Sequence, residues 1–271
     1  MKKAIMLFGV LMYFNASGQS HLSTYGVRIN CTDLPKAIGF YRDILGFTAV
    51  ELDSLNVVLK PATGSDLIFL RKVKYLLPMR QREASATLTL MINNIDSTIA
   101  RLKSKGVNLG SYQKRREGVG TAIYIDDPSG TRLSLMHETV VANPHFAEPR
   151  IYNYGFYVSD MPVARKFYSE TLGFPVRSEK YLPLDLPLNK NDGSFGFMVH
   201  TRDGIEPVHY NSADNQHIVI IFKTDNLDVL QADLKKKNVP VQKKIERIQQ
   251  ARVISMYDPF GYISCVIEAQ R

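Results

Sequence analysis

An α+β fold laid out as a tandem duplication is what this sequence predicts, and three observations predict it. First, ordered landmarks recur. Thr32-Asp33-Leu34-Pro35, Phe40-Tyr41 and Leu45-Gly46-Phe47 return 127 residues later as Ser159-Asp160-Met161-Pro162, Phe167-Tyr168 and Leu172-Gly173-Phe174. Ile95-Asp96, Leu102 and Val107 return as Leu227-Asp228, Leu234 and Val239 after 132 residues, and Asp127-Pro128-Ser129-Gly130 returns as Asp258-Pro259-Phe260-Gly261 after 131. Second, each copy holds two stretches with apolar residues at helical spacing. Third, short runs of alternating apolar and polar residues surround them. Each copy therefore gives strand, helix, three strands, and the same again.

In chain order, Lys2 and Lys3, an apolar run from Ala4 to Phe14, and the small residues Ala16, Ser17 and Gly18 form the three parts of a secretory signal. The run is too short to span a bilayer. Cleavage after Gly18 would remove residues 1–18 and expose Gln19, so an exported protein, periplasmic or extracellular, is expected. No cysteine stands at the cleavage point to carry a lipid anchor.

Residues 25–31 then alternate as a strand. Asp33 is a good N-cap, Pro35 fits a first helical turn, and Ala37, Phe40, Tyr41, Ile44 and Leu45 recur at helical spacing until Gly46. Strands are expected at 49–52, 56–60, 66–71 and 86–92. A second helix at 96–105 stops on Gly106, and strands 121–125 and 132–136 are joined by the Asp-Pro-x-Gly turn. Residues 143–149, with Pro144 and Pro149, form a linker, so the domains run 22–142 and 150–271. The second copy repeats the pattern with Asp160, Pro162 and Gly173. Its second helix, 228–237, follows the capping residues Asp225 and Asn226 and ends on Asn238. Its interval from Phe174 to Val219 is five residues longer than that from Phe47 to Thr87 and contains the proline-rich stretch 182–187. A plain surface insertion or a cover over a cavity mouth would both account for it.

The formal charge is +8, with Lys and Arg scattered along the chain. Lys235 to Lys237 and the Arg80 to Arg82 segment read as solvated faces and loops, so no nucleic-acid partner is expected. No later stretch is long and apolar enough for a membrane span. No glycine-rich phosphate loop, Cys-x-x-Cys pair or nucleophile elbow occurs.

These landmarks resemble the vicinal oxygen chelate superfamily, the fold of glyoxalase I, extradiol dioxygenases and bleomycin-resistance proteins, over nearly all of residues 23–269. The resemblance implies four βαβββ modules forming two tandem domains, each with a curved mixed sheet enclosing a cleft. It also implies where a divalent metal would be held, at positions usually occupied by His and Glu. Those positions carry Gly26, Thr87 and Ser134 in the first copy and Asn153, Val219 and Cys265 in the second. None is His, Asp or Glu, so no cofactor is expected. The leading expectation is a binder of a small anionic or aromatic molecule, monomeric or homodimeric. One rival is a lyase or dioxygenase using Zn, Ni, Mn or Fe at a shifted site in the second copy. His217 and Cys265 would supply it, with Asp214, Glu268 or His200 as a third ligand. The other rival is an envelope scaffold with a protein partner.

The family's ligand positions face the cleft, and side chains alternate along a strand. Arg28 and Asn30 are therefore expected to line the first cleft with Gly26, and Arg132, Ser134 and Met136 to join them. Asn153, Gly155 and Tyr157 would line the second. Arg28 and Arg132 fall on strands that neighbour each other in the family fold, where they would hold a carboxylate or phosphate, or else pair with protein carboxylates. Tyr154, Tyr157 and Phe197 would form an aromatic wall or ordinary core. His217 is a metal candidate or a hydrogen-bonded strand-end residue, and Cys265 a nucleophile or a small filler. Cys31 and Cys265 are expected on opposite faces as free thiols.

Overall fold

Side-chain alternation builds the strands and polar caps start the helices, in four successive modules. The computed structural model describes residues 22–62, 67–77, 86–109, 113–117, 120–138, 147–174, 184–187, 196–201, 210–242, 246–248 and 251–268. Residues 1–18, the expected export signal, and much of the 143–149 linker lie outside the described residues, as do Arg80 and Arg82.

The first module is β1 (Ser23–Cys31), α1 (Leu34–Gly39), β2 (Thr48–Glu51), β3 (Asn56–Lys60) and β4 (Leu67–Lys72). The second is β5 (Ala86–Met91), α2 (Ile95–Ser104), β6 (Arg115–Glu117), β7 (Gly120–Asp126) and β8 (Arg132–Glu138). The third is β9 (Arg150–Val158), α3 (Met161–Arg165), β10 (Leu184–Pro187) and β11 (Gly196–Thr201). The fourth follows a 3₁₀ turn at Ala213–Asn215 and comprises β12 (Ile218–Thr224), α4 (Leu227–Lys236), β13 (Glu246–Ile248), β14 (Ala251–Tyr257) and β15 (Ile263–Glu268).

The caps act as their chemistry requires. Asp33 accepts from the Lys36 N–H at 3.1 Å and Asp160 from the Val163 N–H at 2.9 Å. Asn226 caps α4 by accepting from Val229 at 3.0 Å. After α2 and α4, Gly106 and Asn238 take the left-handed conformation with φ of 74° and 56°, one position solved by the two residue types that tolerate it best. One feature departs from a plain helix. Beyond α1 and α3 the chain widens into a π turn, with Leu45 N–H donating to the Phe40 carbonyl at 3.0 Å and Leu172 to Phe167 at 2.9 Å.

The strands form two curved mixed sheets. The first has the order β13-β14-β15-β12-β1-β4-β3-β2, and the second β10-β11-β9-β5-β8-β7-β6. Within each module the first and last strands lie side by side in parallel, as in β1 with β4 and β5 with β8. Between modules, β1 pairs antiparallel with β12, and β5 with β9. Modules one and four thus share a sheet, and modules two and three share the other, so each sheet draws on both halves of the chain.

The helices cover one face of these sheets. Val27, Ile29, Leu88, Leu90, Leu133, Phe156, Ile220 and Phe222 face them in one core that also takes in Ala37, Ile99, Ala164 and Leu230. Cys31 belongs to this core, whereas Cys265 lies in a separate cluster on the other face, and both thiols are free. Lys235 to Lys237 are exposed at the end of α4. No helix among the described residues is long and apolar enough to cross a membrane.

Candidate functional site

The faces turned away from the helices are where the modules leave room for chemistry, and registry fixes what stands on them. On the second sheet, Tyr124 lies opposite Ser134, Ser134 opposite Thr89, and Thr89 opposite Asn153. Four polar side chains thereby form one row across β7, β8, β5 and β9. The equivalent row of the first sheet is Ser255, Cys265, Ile221 and Gly26. The two faces are built alike and furnished differently.

The first face carries an apolar cluster of its own side chains. Val219, Ile221, Val253, Ile263 and Cys265 cluster with Ala213, and Tyr25, Phe69, Tyr210, Tyr257 and Ile267 pack around them. The 3₁₀ turn lies against this cluster through Ala213, and the strand residues hold it there. The Asn30 side-chain amide, fully buried, donates to the carbonyls of Ala213 at 2.7 Å and Gln216 at 2.6 Å. Arg28 donates to Asp214 at 3.2 Å. Asn30 and Arg28 do point to the cleft side, but the groups they hold belong to the protein.

The second face is polar. Ser134 is 2 % exposed, and its hydroxyl has no hydrogen-bond partner among the described residues. Thr89 and Asn153 are also buried, with the Asn153 amide donating to the Met198 sulfur at 2.9 Å. Ala122, Met136 and Met91 form the neighbouring row on one side, and Thr87, Gly155 and Met198 the row on the other. The His200 imidazole lies beside Gly155, where a Cβ would stand at ordinary contact distance, 3.5 Å, from Nε2. The His200 ring lies 5.3 Å from that of Tyr157. Burial pushes the His200 pKa down to about 4, so the imidazole is neutral at pH 7. Tyr124 donates to Glu117 at 3.2 Å. Burial, reinforced by the Glu117 charge, pushes its phenol up to about 12.

Whether a divalent metal fits can be judged from the donor atoms. Cys265 and Ser134 each stand opposite the residue two places beyond the family position on the adjoining strand, Val219 and Thr87. The same relation on β4 and β11 selects Phe69 and Met198. The first sheet then offers Gly26, Phe69, Val219 and Cys265, and the second Thr87, Ser134, Asn153 and Met198. Neither set contains an imidazole or carboxylate, so these positions do not fit the ion. Among the described residues, no three His, Cys, Asp or Glu side chains gather as a metal site.

Several sequence expectations are corrected. Arg28 and Arg132 do not form a pair, because β1 and β8 belong to different sheets. Arg132 is instead exposed and bound to Asp126, which sits opposite it at the end of β7. His217 is not a partner of Cys265. It precedes the first residue of β12, where strand alternation no longer fixes direction, and its ring lies between the Thr131 hydroxyl at 3.1 Å and the Leu77 carbonyl at 2.9 Å. With Nε2–H donating to that carbonyl, Nδ1 accepts from Thr131, and both nitrogens are engaged. The Cys265 thiol lies 3.7 Å from the Ser255 hydroxyl. Tyr154 faces the helices, buried in the core, while Tyr157 and Asn153 stand on the cleft face with Ser134. The side chain of Phe197, the third member of the expected aromatic wall, lies outside the described residues. Thr89, Tyr124 and Met198 were not singled out from the sequence. Their strand parity would have found them once the order of the strands was known.

The comparisons with known proteins agree with this architecture. A model of the Glyoxalase/Bleomycin resistance protein/Dioxygenase superfamily matches residues 19–135 and 145–266. Glyoxalase I from Zea mays is similar in structure, with a TM-score of 0.62 at 13% identity over 92% of this chain and 93% of that chain. A single-residue mutant of the same enzyme gives a TM-score of 0.68 at 14% identity, again over 92% and 93%. No match was found among curated proteins. With both halves matched and the doubled sheet architecture in place, this chain belongs to the glyoxalase/bleomycin resistance protein/dioxygenase superfamily.

Proposed function

We propose that this is an exported small-molecule binding protein whose site is the cleft face of the second sheet, and that its ligand is an uncharged aromatic molecule bearing a hydrogen-bonding group. The Ser134 hydroxyl carries this reading. Leaving such a group buried and unpaired costs about 1–3 kcal/mol, and native proteins rarely keep one without use. Thr89 and Asn153 extend the polar row beside it, and Tyr124, Tyr157 and the neutral His200 supply ring surfaces. Uncharged hydroxyl, amide and imidazole groups in a buried row favour a neutral ligand over an ion. Export rests on the charged, apolar and small-residue pattern of residues 1–18.

The test is a thermal-shift screen of the mature protein against phenols, indoles and coumarins, followed by calorimetry. Ser134→Ala should weaken a confirmed ligand about tenfold, roughly one hydrogen bond's worth, while leaving the unliganded protein as stable or more so. Unchanged affinity in Ser134→Ala, or no binding across the set, would sink the proposal. Export is checked by fractionating cells and sequencing the mature N-terminus, expected at Gln19.

A further inference from the structure

The guanidinium pair on the first sheet is only partly used. Arg28 and Arg71 both donate to a single oxygen of Asp214, Oδ1, through Arg28 Nη2 at 3.2 Å and Arg71 Nε at 3.1 Å. The Arg28 side chain is only 4 % exposed, and its Nε–H is buried without a partner among the described residues. Nε and Nη2 form one edge of the guanidinium, the fork that matches both oxygens of a carboxylate. Asp214, reaching over from a short turn, satisfies half of that fork. Its own side chain is 43 % exposed.

The surroundings give the rest of the ligand. Arg28 stands between Val219 on β12 and Phe69 on β4 in the strand registry, and both belong to the apolar cluster of this face. Phe69 is half-buried and tilted against Tyr25, with ring centres 5.6 Å apart, and Tyr210 and Tyr257 are half-buried on the same cluster. A deeply held cationic fork beside an incompletely covered aromatic surface is complementary to a flat ring carrying a carboxylate.

We propose that the first sheet carries a second small-molecule site, for aromatic carboxylates, and that the Asp214 side chain is its internal occupant. The ligand carboxylate takes the Arg28 fork and Arg71, and Asp214 rotates into water. The turn itself stays in place, because Asn30 holds its backbone through the carbonyls of Ala213 and Gln216. This site shares no residue with the cleft of the second sheet.

The experiment is a calorimetric and NMR titration of the mature protein with benzoate and 1-naphthoate, using benzyl alcohol and inorganic phosphate as controls. Asp214→Asn removes the competing charge, so it should bind the carboxylates at least tenfold more tightly than wild type. Arg28→Gln and Arg71→Gln should each abolish binding, and Ser134→Ala should leave it unchanged. If Arg28→Gln, at a buried position, does not fold, Arg71→Gln, at a position 20 % exposed, decides alone, with the melting curve reporting folding. Equal affinity in wild type and Asp214→Asn, retained binding in Arg71→Gln, or binding of benzyl alcohol or phosphate as tight as benzoate would overturn the proposal. Loss of carboxylate binding in Ser134→Ala would place the ligand on the second sheet and overturn it as well.

Discussion

Tyr168 donates its hydroxyl to the Asp258 carboxylate at 2.6 Å, and Tyr41 does the same to Asp127 at 3.0 Å. In each case the Phe-Tyr segment after a helix reaches the Asp-Pro-x-Gly turn that follows in the same half of the chain, yet helix and turn belong to different sheets. Strand pairing joins the halves, and these two clasps join the sheets. The other oxygen of Asp258 accepts the N–H groups of Phe260 at 2.9 Å and Tyr262 at 2.8 Å, so the turn is closed around the same carboxylate.

Burial nonetheless pushes the Asp258 carboxyl up to about 6 from an ordinary 3.8, against the pull of Tyr168 and the backbone donors. A folded value above the unfolded one means that the stability this group contributes is fully present below pH 4 and is lost as pH rises through 6. Asp258→Asn cannot titrate. Urea denaturation should therefore show the wild type losing about 2–3 kcal/mol relative to the variant between pH 4 and pH 7.

His200 carries the opposite sign. Its folded pKa of about 4 lies below the ordinary 6.5, so its contribution is present above pH 6.5 and is lost as pH falls towards 4. In NMR spectra the His200 ring signals should stay constant from pH 8 to pH 5, and His200→Gln should reduce the acid sensitivity of the melting temperature. A His200 midpoint near 6.5 would show that the imidazole is reached by water.

Asn30 holds two carbonyls of the turn from a fully buried position. Asn30→Ala should cost about 2–4 kcal/mol of unfolding free energy in denaturant, because both acceptors lose their donor inside the protein.

Gly26 and Gly155 give a contrast within one measurement. A Cβ at Gly26 would lie 2.1 Å from the Leu67 carbonyl oxygen, a backbone atom of the adjoining strand, so Gly26→Ala should cost more than about 3 kcal/mol or prevent folding. At Gly155 the nearest atom is the His200 ring at 3.5 Å, an ordinary contact. Gly155→Ala should change the melting temperature little while narrowing the cleft.

The elements were legible in the sequence because their causes are local. Asp33, Asp160 and Asn226 cap helices through bonds three residues long, and Gly106 and Asn238 announce the same backbone conformation. Alternation, counted from the positions that face the cleft in the resembling family, placed Ser134, Asn153, Tyr157 and Asn30 on the cleft side. What alternation cannot supply is the neighbouring strand, since a buried face is satisfied by any apolar partner. Arg28 and Arg132 do not meet, because β1 and β8 lie in separate sheets, and each pairs with a protein carboxylate, the other arrangement open to them from the sequence. His217 stands just outside β12, so alternation does not turn it towards Cys265, and it is the hydrogen-bonded strand-end residue that was the other expectation for it. The Tyr–Asp clasps join residues up to 90 apart, and nothing in either local motif points to the other.

The strand order also has a consequence in time. Ile29 lies beside Ile218, 189 residues further along, so β1 waits for its β12 neighbour until most of the chain has been made. Until then it presents an open edge, the kind of surface on which unfinished chains stick together. Cutting the chain at its midpoint would leave each piece with half of both sheets. Separately produced halves should stay insoluble or unfolded and regain a cooperative melting transition only when mixed, because neither half holds a whole sheet.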